Sequence, residues 1–246
     1  MGERSSKSSP IAEELTSTGD ALFRWRSYMP LVLVPLFVLT ILGKRSPASR
    51  AWELFSFGVA LTGLALRIFI VGTAPRGTST RGTSQPTAAS LSTHGAYSIV
   101  RHPLYLANTL VALGCSLLSG TWYLPLIVVL LSFIYHERIA AHEERFLEHT
   151  FGEGFRTWAH RVPAMIPAFG GYRASGMPFQ IQKVLMQESH GLCAIGTAFL
   201  VLDTIKDSVN IGRFQVDPLW LRVFFATLVP FLIVVIAKKS RNIMTR

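Results

Sequence analysis

Charged residues are scarce in this chain. Asp, Glu, Lys and Arg make up only 15% of its 246 residues, whereas 50% are hydrophobic. A soluble globular domain carries roughly 25% charged residues. Several uncharged runs approach the ~20 residues that an apolar helix needs to cross a bilayer. The deficit therefore indicates an all-α membrane protein, a polytopic transmembrane bundle of five or six spans in one domain.

Motifs for metals and soluble nucleotide-binding folds are also missing. Cys115 and Cys193 lie in apolar runs and form no ligand pattern. Neither Gly-x-Gly-x-x-Gly nor a Walker sequence occurs, which excludes a soluble nucleotide-binding fold. His136 and His142 are six residues apart and do not share a helical face. We therefore predict no metal site.

Acidic residues are few, 14 against 24 Lys and Arg, so the net charge is +10. The basic residues are not gathered into one face or tail, and we predict no nucleic-acid partner. They lie in short loops beside apolar runs, where they set topology and attract anionic headgroups. The predicted partners are membrane lipids.

Composition divides the chain into four parts. Residues 1–20 are polar and predict a disordered tail; 21–72 hold two spans, near Tyr28–Gly43 and Ala51–Gly72. Residues 73–172 form a central core, and 173–246 hold C-terminal membrane helices, with a last span near Pro218–Ala237. The polar stretch at Gln187–His190 leaves open whether Val184–Leu202 lies half in the interface or crosses fully.

The central core contains a predicted helical hairpin over 104–138. Its apolar segments, Leu104–Ser119 and Trp122–Tyr135, are separated only by Gly120-Thr121. A break that short returns the chain to the side it left, so the polar clusters flanking the hairpin meet there. With six spans, both termini and the polar loops share this side, which carries most of the Lys and Arg and is therefore predicted to be cytoplasmic.

The first polar cluster, Arg101-His102-Pro103, precedes a span whose N-terminal end attracts anions. The second contains Glu143 and Glu144, carboxylates that need partners beside an apolar surface, and Arg161 lies further on. The alternatives are a basic flank before a span and a solvated helix face with ion pairs. Arg suits an anionic substrate because it is planar and always charged.

These clusters resemble the isoprenylcysteine carboxyl methyltransferase family over about 75 residues. The resemblance rests on sequence units kept in order and spacing around the hairpin: Gly95-Ala96-Tyr97, Arg101-His102-Pro103-Leu104-Tyr105, Glu143-Glu144-x-x-Leu147, Phe151-Gly152 and Arg161-Val162-Pro163. It implies an integral membrane enzyme, with cytoplasmic cofactor-binding loops, that transfers a methyl group from S-adenosylmethionine to a lipid-borne acceptor.

The resemblance also implies roles for individual residues. Tyr97, His102, Tyr105 and Glu144 would bind the cofactor, and the catalytic groups would be Arg101, Arg138, Glu144 and Arg161. The chain departs from the family at Ala107, Phe155 and Trp158, where a glycine and two tyrosines are usual. We expect these changes to affect the pocket and the contacts with the acceptor.

The expected acceptor is an anionic lipid group, either a lipid phosphate, as on lipid A, or a prenylcysteine carboxylate. The loop Thr78–Thr83 looks more like that of bacterial relatives of the family than like that of the eukaryotic enzymes, and this resemblance implies a bacterial lipid and a bacterial inner membrane; both termini are expected to be cytoplasmic. Transfer from a sulfonium to an oxyanion neutralises charge and gains from a dry site. Two other functions remain open: an NADPH-dependent reductase on a scaffold like that of the sterol reductases, and a non-enzymatic membrane scaffold.

Overall fold

The computed structural model describes residues 22, 24, 29–43, 49–75 and 90–244. Seven α-helices occur in these residues, and no strand. They are α1 (Met29–Gly43), α2 (Arg50–Thr73), α3 (Pro103–Leu117), α4 (Tyr123–Phe151), α5 (Glu153–Ala159), α6 (Ile181–Ile211) and α7 (Pro218–Met244). The all-α prediction is confirmed. The predicted tail 1–20 and the loop Thr78–Thr83 lie outside the described residues.

Three of the described helices are long and apolar enough to cross a membrane: α2, α4, and α7 as far as Ser240. The apolar helices α1, from Leu31, and α3 are shorter. At 1.5 Å per residue, the 15 residues of α3 span only ~22 Å of a core that is ~30 Å thick. The membrane bundle is thus confirmed. By length and composition alone, however, only three of the described helices could cross a membrane, fewer than the five or six predicted.

The predicted hairpin is confirmed and extends beyond 138. Gly120, at φ 67°, lies in the turn between α3 and α4. Helix α4 then continues through the charged segment to Phe151, where Gly152 at φ 52° ends it. Only glycine adopts such positive φ values at little cost. The last turns of α4 therefore project beyond its apolar part and carry both carboxylates of the second polar cluster.

Helices α2 and α3 make the most extensive contact of the described bundle. A Cβ added at Gly63 of α2 would lie 2.7 Å from the Ala107 carbonyl oxygen and 2.8 Å from the Val111 nitrogen of α3. Small residues allow membrane helices to approach in this way. Ala107 is fully buried in this contact and does not line the cavity described below. Its extra methyl group therefore affects helix packing, contrary to our expectation of a tightened pocket.

Helix α6 is one continuous helix of 31 residues that includes the polar stretch at 187–190, and it is not among the described helices that are apolar enough to cross a membrane. Two of its buried charges are paired with α2: Glu188 with Arg67 near one end, and Lys206 with Glu53 near the other. Because each of these charges has a partner of opposite sign on α2, α6 can keep them inside the bundle along its whole length. Arg67 and Glu53 thus lie inside the bundle, although long charged side chains near the ends of a membrane helix often extend to the membrane surfaces.

The same contacts define two ends of the bundle. At the far end, Arg50 pairs with Asp217 before α7, and the Trp52 indole N–H donates to the Leu117 carbonyl at 2.8 Å. At the opposite end, Lys183 of α6 donates to the Ala74 carbonyl at 2.9 Å, just after α2. The second end also holds both predicted polar clusters, and we call it the site end.

Candidate active site

The two polar ends of the hairpin meet at the site end through main-chain hydrogen bonds. The Arg101 N–H donates to the Pro163 carbonyl at 2.8 Å, and the His102 N–H donates to that of Ala164 at 3.2 Å. Pro103 then takes the first turn of α3, where an N–H would have no helical partner. The segment before α3 is thereby fixed against the segment that follows α5. This is the meeting of the two polar ends that we predicted from the hairpin.

Further contacts hold the turn that contains Tyr97. The Gly95 N–H donates to the Arg173 carbonyl at 2.7 Å, and the Ser98 hydroxyl donates to the Gly95 carbonyl at 2.7 Å. The Trp158 indole N–H donates to the Tyr97 carbonyl at 3.1 Å. A tyrosine at position 158 has no N–H to make this last contact. Trp158, on α5, therefore supports the turn that contains Tyr97.

His102 lies between two carboxylates of α4. Its Nε2 is 2.8 Å from Glu144 Oε1, and its Nδ1 is 3.6 Å from Glu143 Oε2. Burial lowers the pKa of His102, but its hydrogen bonds to the Glu143 and Glu144 carboxylates raise it more, so that the net shift is upward. Each ring nitrogen lies opposite a carboxylate, which only accepts hydrogen bonds. Both nitrogens must therefore carry a proton, which is the imidazolium form. Arg101 Nε, 3.2 Å from Glu144 Oε1, adds a second positive charge.

Three rings stack beside this ion cluster. The His102 and Tyr105 ring centroids are 5.3 Å apart with planes 10° apart, and those of Tyr105 and His136 are 4.7 Å apart with planes 5° apart. Burial raises the pKa of the Tyr97 hydroxyl and Glu143 raises it further, while Arg67 opposes them. Tyr97 is therefore a neutral phenol at any physiological pH. The ring of Tyr105 and this phenol give the site flat, uncharged surfaces next to its ions.

A cavity of about 1010 Å³ opens from this cluster into the bundle. Tyr97, Arg101, His102, Tyr105 and Glu143 line its polar end, and apolar side chains of α1, α3, α4 and α6 line most of the remainder. Ligand pockets commonly measure ~300–1,000 Å³. The volume is sufficient for a cofactor together with part of a second, apolar ligand.

The structure does not bring all the predicted site residues to this cavity. Glu144 contacts both His102 and Arg101 but does not line the wall. Arg138 is partly buried on α4, and Arg161 is exposed; neither lines the cavity. Phe155 lies on α5, is buried, and does not line the wall either. The roles of Arg138 and Arg161 stay predictions.

Sequence reasoning missed several polar residues of the wall: Arg67, Asn108, His136, Gln187 and His190. Gln187 and His190 are followed on α6 by Gly191 and Ala194, a helical spacing that marks one face. That spacing could have predicted an inward polar face. No local signal separates Arg67 from an arginine at the membrane surface, because its partner Glu188 is 121 residues away.

A second acidic group lies at the far end. Carboxylate oxygens of Glu53, Asp203 and Asp207 lie within 4.8 Å of one another. The Lys206 ammonium is among them, 2.7 Å from Asp203 and 3.6 Å from Asp207. The positive charge that these carboxylates attract is therefore supplied by the chain itself.

Comparison with known proteins finds a family match in the central part of the chain. Residues 54–154 match the phospholipid methyltransferase family. This segment contains all of α3 and α4, most of α2, and both polar clusters as far as Glu144. The match confirms the family-level resemblance.

Three curated proteins are similar over shorter segments. The cobalt-zinc-cadmium resistance protein CzcN of Cupriavidus metallidurans is 34% identical over 84 residues, 34% of this chain and 38% of that protein. The protein-S-isoprenylcysteine O-methyltransferase of Schizosaccharomyces pombe is 32% identical over 77 residues, 31% of this chain and 33% of that protein. The nickel-cobalt-cadmium resistance protein NccN of Alcaligenes xylosoxydans xylosoxydans is 30% identical over 87 residues, 35% of this chain and 40% of that protein.

The similarity thus covers between 33% and 40% of the length of these relatives. No solved structure matches the chain.

Proposed function

We propose, from the match of residues 54–154 to the phospholipid methyltransferase family, that the chain is an S-adenosylmethionine-dependent O-methyltransferase. Its acceptor is an anionic group on a membrane lipid. One observation carries the proposal: the partly buried ion cluster of Arg101, His102, Glu143 and Glu144 lies at the polar end of a cavity whose remaining walls are mostly apolar. A reaction that joins a polar cofactor to a lipid needs both surfaces in one cavity.

The polar end suits the parts of the cofactor. S-Adenosylmethionine supplies an electrophilic methyl group on a sulfonium when it is bound. Glu143, on the wall, suits a cationic group, while Glu144 keeps His102 and Arg101 oriented. The rings of Tyr97 and Tyr105 offer faces against which a flat base packs.

The residues of the site would act by positioning and by excluding water. An anionic oxygen is already a nucleophile, so no general base is needed. The apolar wall would strip water from that oxygen, and alignment with the methyl group supplies several kcal/mol of the barrier, within the ~7–11 kcal/mol that orientation can contribute. Arg101, on the wall, would attract the anion without forming a covalent bond to it.

The acceptor is a lipid phosphate or a prenylcysteine carboxylate. The fission yeast relative, named as an isoprenylcysteine O-methyltransferase, supports the carboxylate class. The two metal-resistance relatives are not named for an acceptor.

Calorimetry on the full chain in nanodiscs tests the proposal. Wild-type protein is expected to bind S-adenosylhomocysteine saturably, and His102→Ala and Glu144→Ala are expected to bind it about 10–100-fold more weakly, the loss typical of hydrogen bonds to charged groups. Glu148→Ala, which removes a carboxylate of the same helix that is paired with Arg156 on the surface, is the control and should bind normally.

Lipids extracted from cells with and without the gene should differ by species heavier by one CH₂ unit. Folded wild-type protein that binds no S-adenosylhomocysteine would refute the proposal, and stabilisation by NADPH instead would favour a reductase.

A further inference from the structure

Arg67 is a charged side chain inside the membrane part of the bundle. It lies six residues before the end of α2 at Thr73, which places it ~9 Å below that end. Its side chain is 19% exposed, and that of its partner Glu188 is 3% exposed. Ionisable groups at such depth are costly and usually mark a functional pathway. The pair therefore needs an explanation beyond packing.

The contacts of Arg67 hold its guanidinium in one orientation. Nε and Nη2 donate to the two Glu188 carboxylate oxygens at 2.8 and 2.9 Å, and Nη1 donates to Asn108 Oδ1. Arg67 and Asn108 line the cavity, whereas Glu188 lies behind them and does not. The Glu188 carboxylate thus holds the Arg67 guanidinium from the side that faces away from the cavity.

Hydrogen-bond donors remain on the cavity side. A guanidinium has five N–H groups, and three of those of Arg67 are used in the contacts with described residues. One N–H is left on each terminal nitrogen. Because the Asn108 oxygen accepts from Arg67, its NH₂ group is oriented to donate as well. Arg67 and Asn108 are in contact and both line the cavity, so the guanidinium charge and these donors lie together at its wall, which suits a carboxylate or a phosphate.

The wall changes from polar to apolar at this depth. On α3 the lining residues run Tyr105, Asn108, Val111 and Cys115, and on α6 Gln187 and His190 are followed by Ala194 and Ala198. From Tyr105 to Ser116 the lined face of α3 is ~17 Å long. A ligand whose anionic group lies at Arg67 can thus place an apolar chain along the deeper wall.

We propose that Arg67 and Asn108 form a subsite for the anionic head of a lipid, a phosphate monoester or a carboxylate, and that Glu188 is a positioning residue for Arg67. The identification of this lipid with the methyl acceptor rests on the proposed function. The neutral Arg67–Glu188 pair keeps the arginine charged while the cavity is empty. An entering anion then gains charge-assisted hydrogen bonds from a group that is already oriented. The apolar wall below favours a lipid over the methyl donor.

Native mass spectrometry of the full chain tests the subsite, with dioleoylphosphatidic acid, N-acetyl-S-farnesylcysteine and neutral dioleoylglycerol as probes. Wild type should retain at least one of the two anions about 10-fold more tightly than dioleoylglycerol, and the better anion identifies the head-group class. Arg67→Met/Glu188→Met removes both charges, a change that buried ion pairs often tolerate. This variant should lose the preference and bind S-adenosylhomocysteine as wild type does.

Two further variants separate a specific subsite from general charge. Arg50→Gln removes the arginine at the other end of α2 and should keep the preference. Arg67→Lys keeps the charge but not the fork of donors, and should retain only part of the preference.

Three outcomes would overturn the inference: no preference for either anion in wild type, an unchanged preference in the double variant, or loss of S-adenosylhomocysteine binding in that variant. The last would assign Arg67 to the donor. A preference that depends on Arg67, in a protein that binds no S-adenosylhomocysteine, would support the subsite while refuting the proposed function.

Discussion

His102 shows how one side chain can connect two parts of the sequence. It precedes α3, yet both of its ring nitrogens face carboxylates near the end of α4. The contiguous unit Arg101-His102-Pro103 is visible in the sequence, and so are two adjacent glutamates. Their contact could be predicted because a short turn joins two apolar helices, which brings the flanks together.

The charge state of His102 gives stability a pH dependence. Its pKa is raised in the folded chain, since Glu143 and Glu144 outweigh the effect of burial. A group with a raised pKa contributes stability that is fully present below its unfolded pKa of ~6.5, and that is lost as the pH rises through the folded value. We therefore expect Glu143→Gln/Glu144→Gln to flatten the fall in thermal stability as the pH rises above ~6.5.

Thermal unfolding of wild type and variant across that pH range checks the prediction. Glu148→Gln is the control, because its exposed pair with Arg156 contributes little to stability, ~0–1 kcal/mol. Parallel pH profiles in wild type and the double variant would contradict a charged His102.

Arg67 marks the limit of prediction at this scale. Its contacts with Asn108 and Glu188 bridge 41 and 121 residues, and the arginine sits near a helix end where a membrane surface would also be suitable. Nothing local distinguishes the two environments. Only the packing of α2 against α3 and α6 turns the side chain inward.

At the scale of helices, glycine determines how closely α2 and α3 approach. Gly63 faces main-chain atoms of α3, and Gly114 faces Ala60, where an added Cβ would lie 2.5 Å from the Ala60 nitrogen. Main-chain atoms in a helix cannot shift as a flexible side chain can. This contact holds Asn108 beside Arg67, so the subsite depends on it.

Gly63→Ala should therefore destabilise the protein by about 1–3 kcal/mol, the usual cost of overpacking. Gly58→Ala is a matched control on the same helix, because nothing lies within 4 Å of its added Cβ. It should be neutral or stabilising by up to ~1 kcal/mol, since alanine favours helix. Unfolding in mild detergent with added denaturing detergent measures both, and equal destabilisation of the two variants would contradict the close contact.

Helix α6 shows why elements rich in polar residues are hard to predict. Its sequence left two arrangements open because four polar residues follow one another at Gln187–His190. The structure pairs Glu188 with α2, so that a segment that looks interfacial is buried. A charge and its partner on another helix together behave as a neutral unit, and hydropathy of one segment alone does not show this.

On the scale of the whole molecule, two buried ion pairs join the same helices at opposite ends. Arg67–Glu188 links α2 and α6 at the site end, and Glu53–Lys206 links them at the far end. The signs are exchanged, with the cation on α2 at one end and on α6 at the other. A displacement of α6 along α2 would separate both pairs at once, so together they fix the register of the two helices. All-α architecture followed from composition, but this register required the structure.

The orientation of the bundle follows from its two ends. The described segments at the site end carry more basic residues: Arg145, Arg156, Arg161, Arg173, Lys183, Lys238 and Lys239. Among the described residues, the far end carries Arg50, Arg213 and Arg222. The side richer in Lys and Arg remains in the cytoplasm. We therefore expect the site end to face the cytosol, where a soluble methyl donor would reach Tyr97 and His102 without crossing the membrane.

Labelling with a membrane-impermeant maleimide tests this orientation, in a background in which Cys115 and Cys193 are replaced by alanine. Arg213→Cys, at the far end, should react in intact bacterial spheroplasts. Glu153→Cys, whose native side chain is 82% exposed at the site end, should react only after permeabilisation. The reverse pattern would place the ion cluster outside the cytosol. In that case a cytosolic cofactor could not reach it, and the proposed methyl transfer would fail together with the orientation.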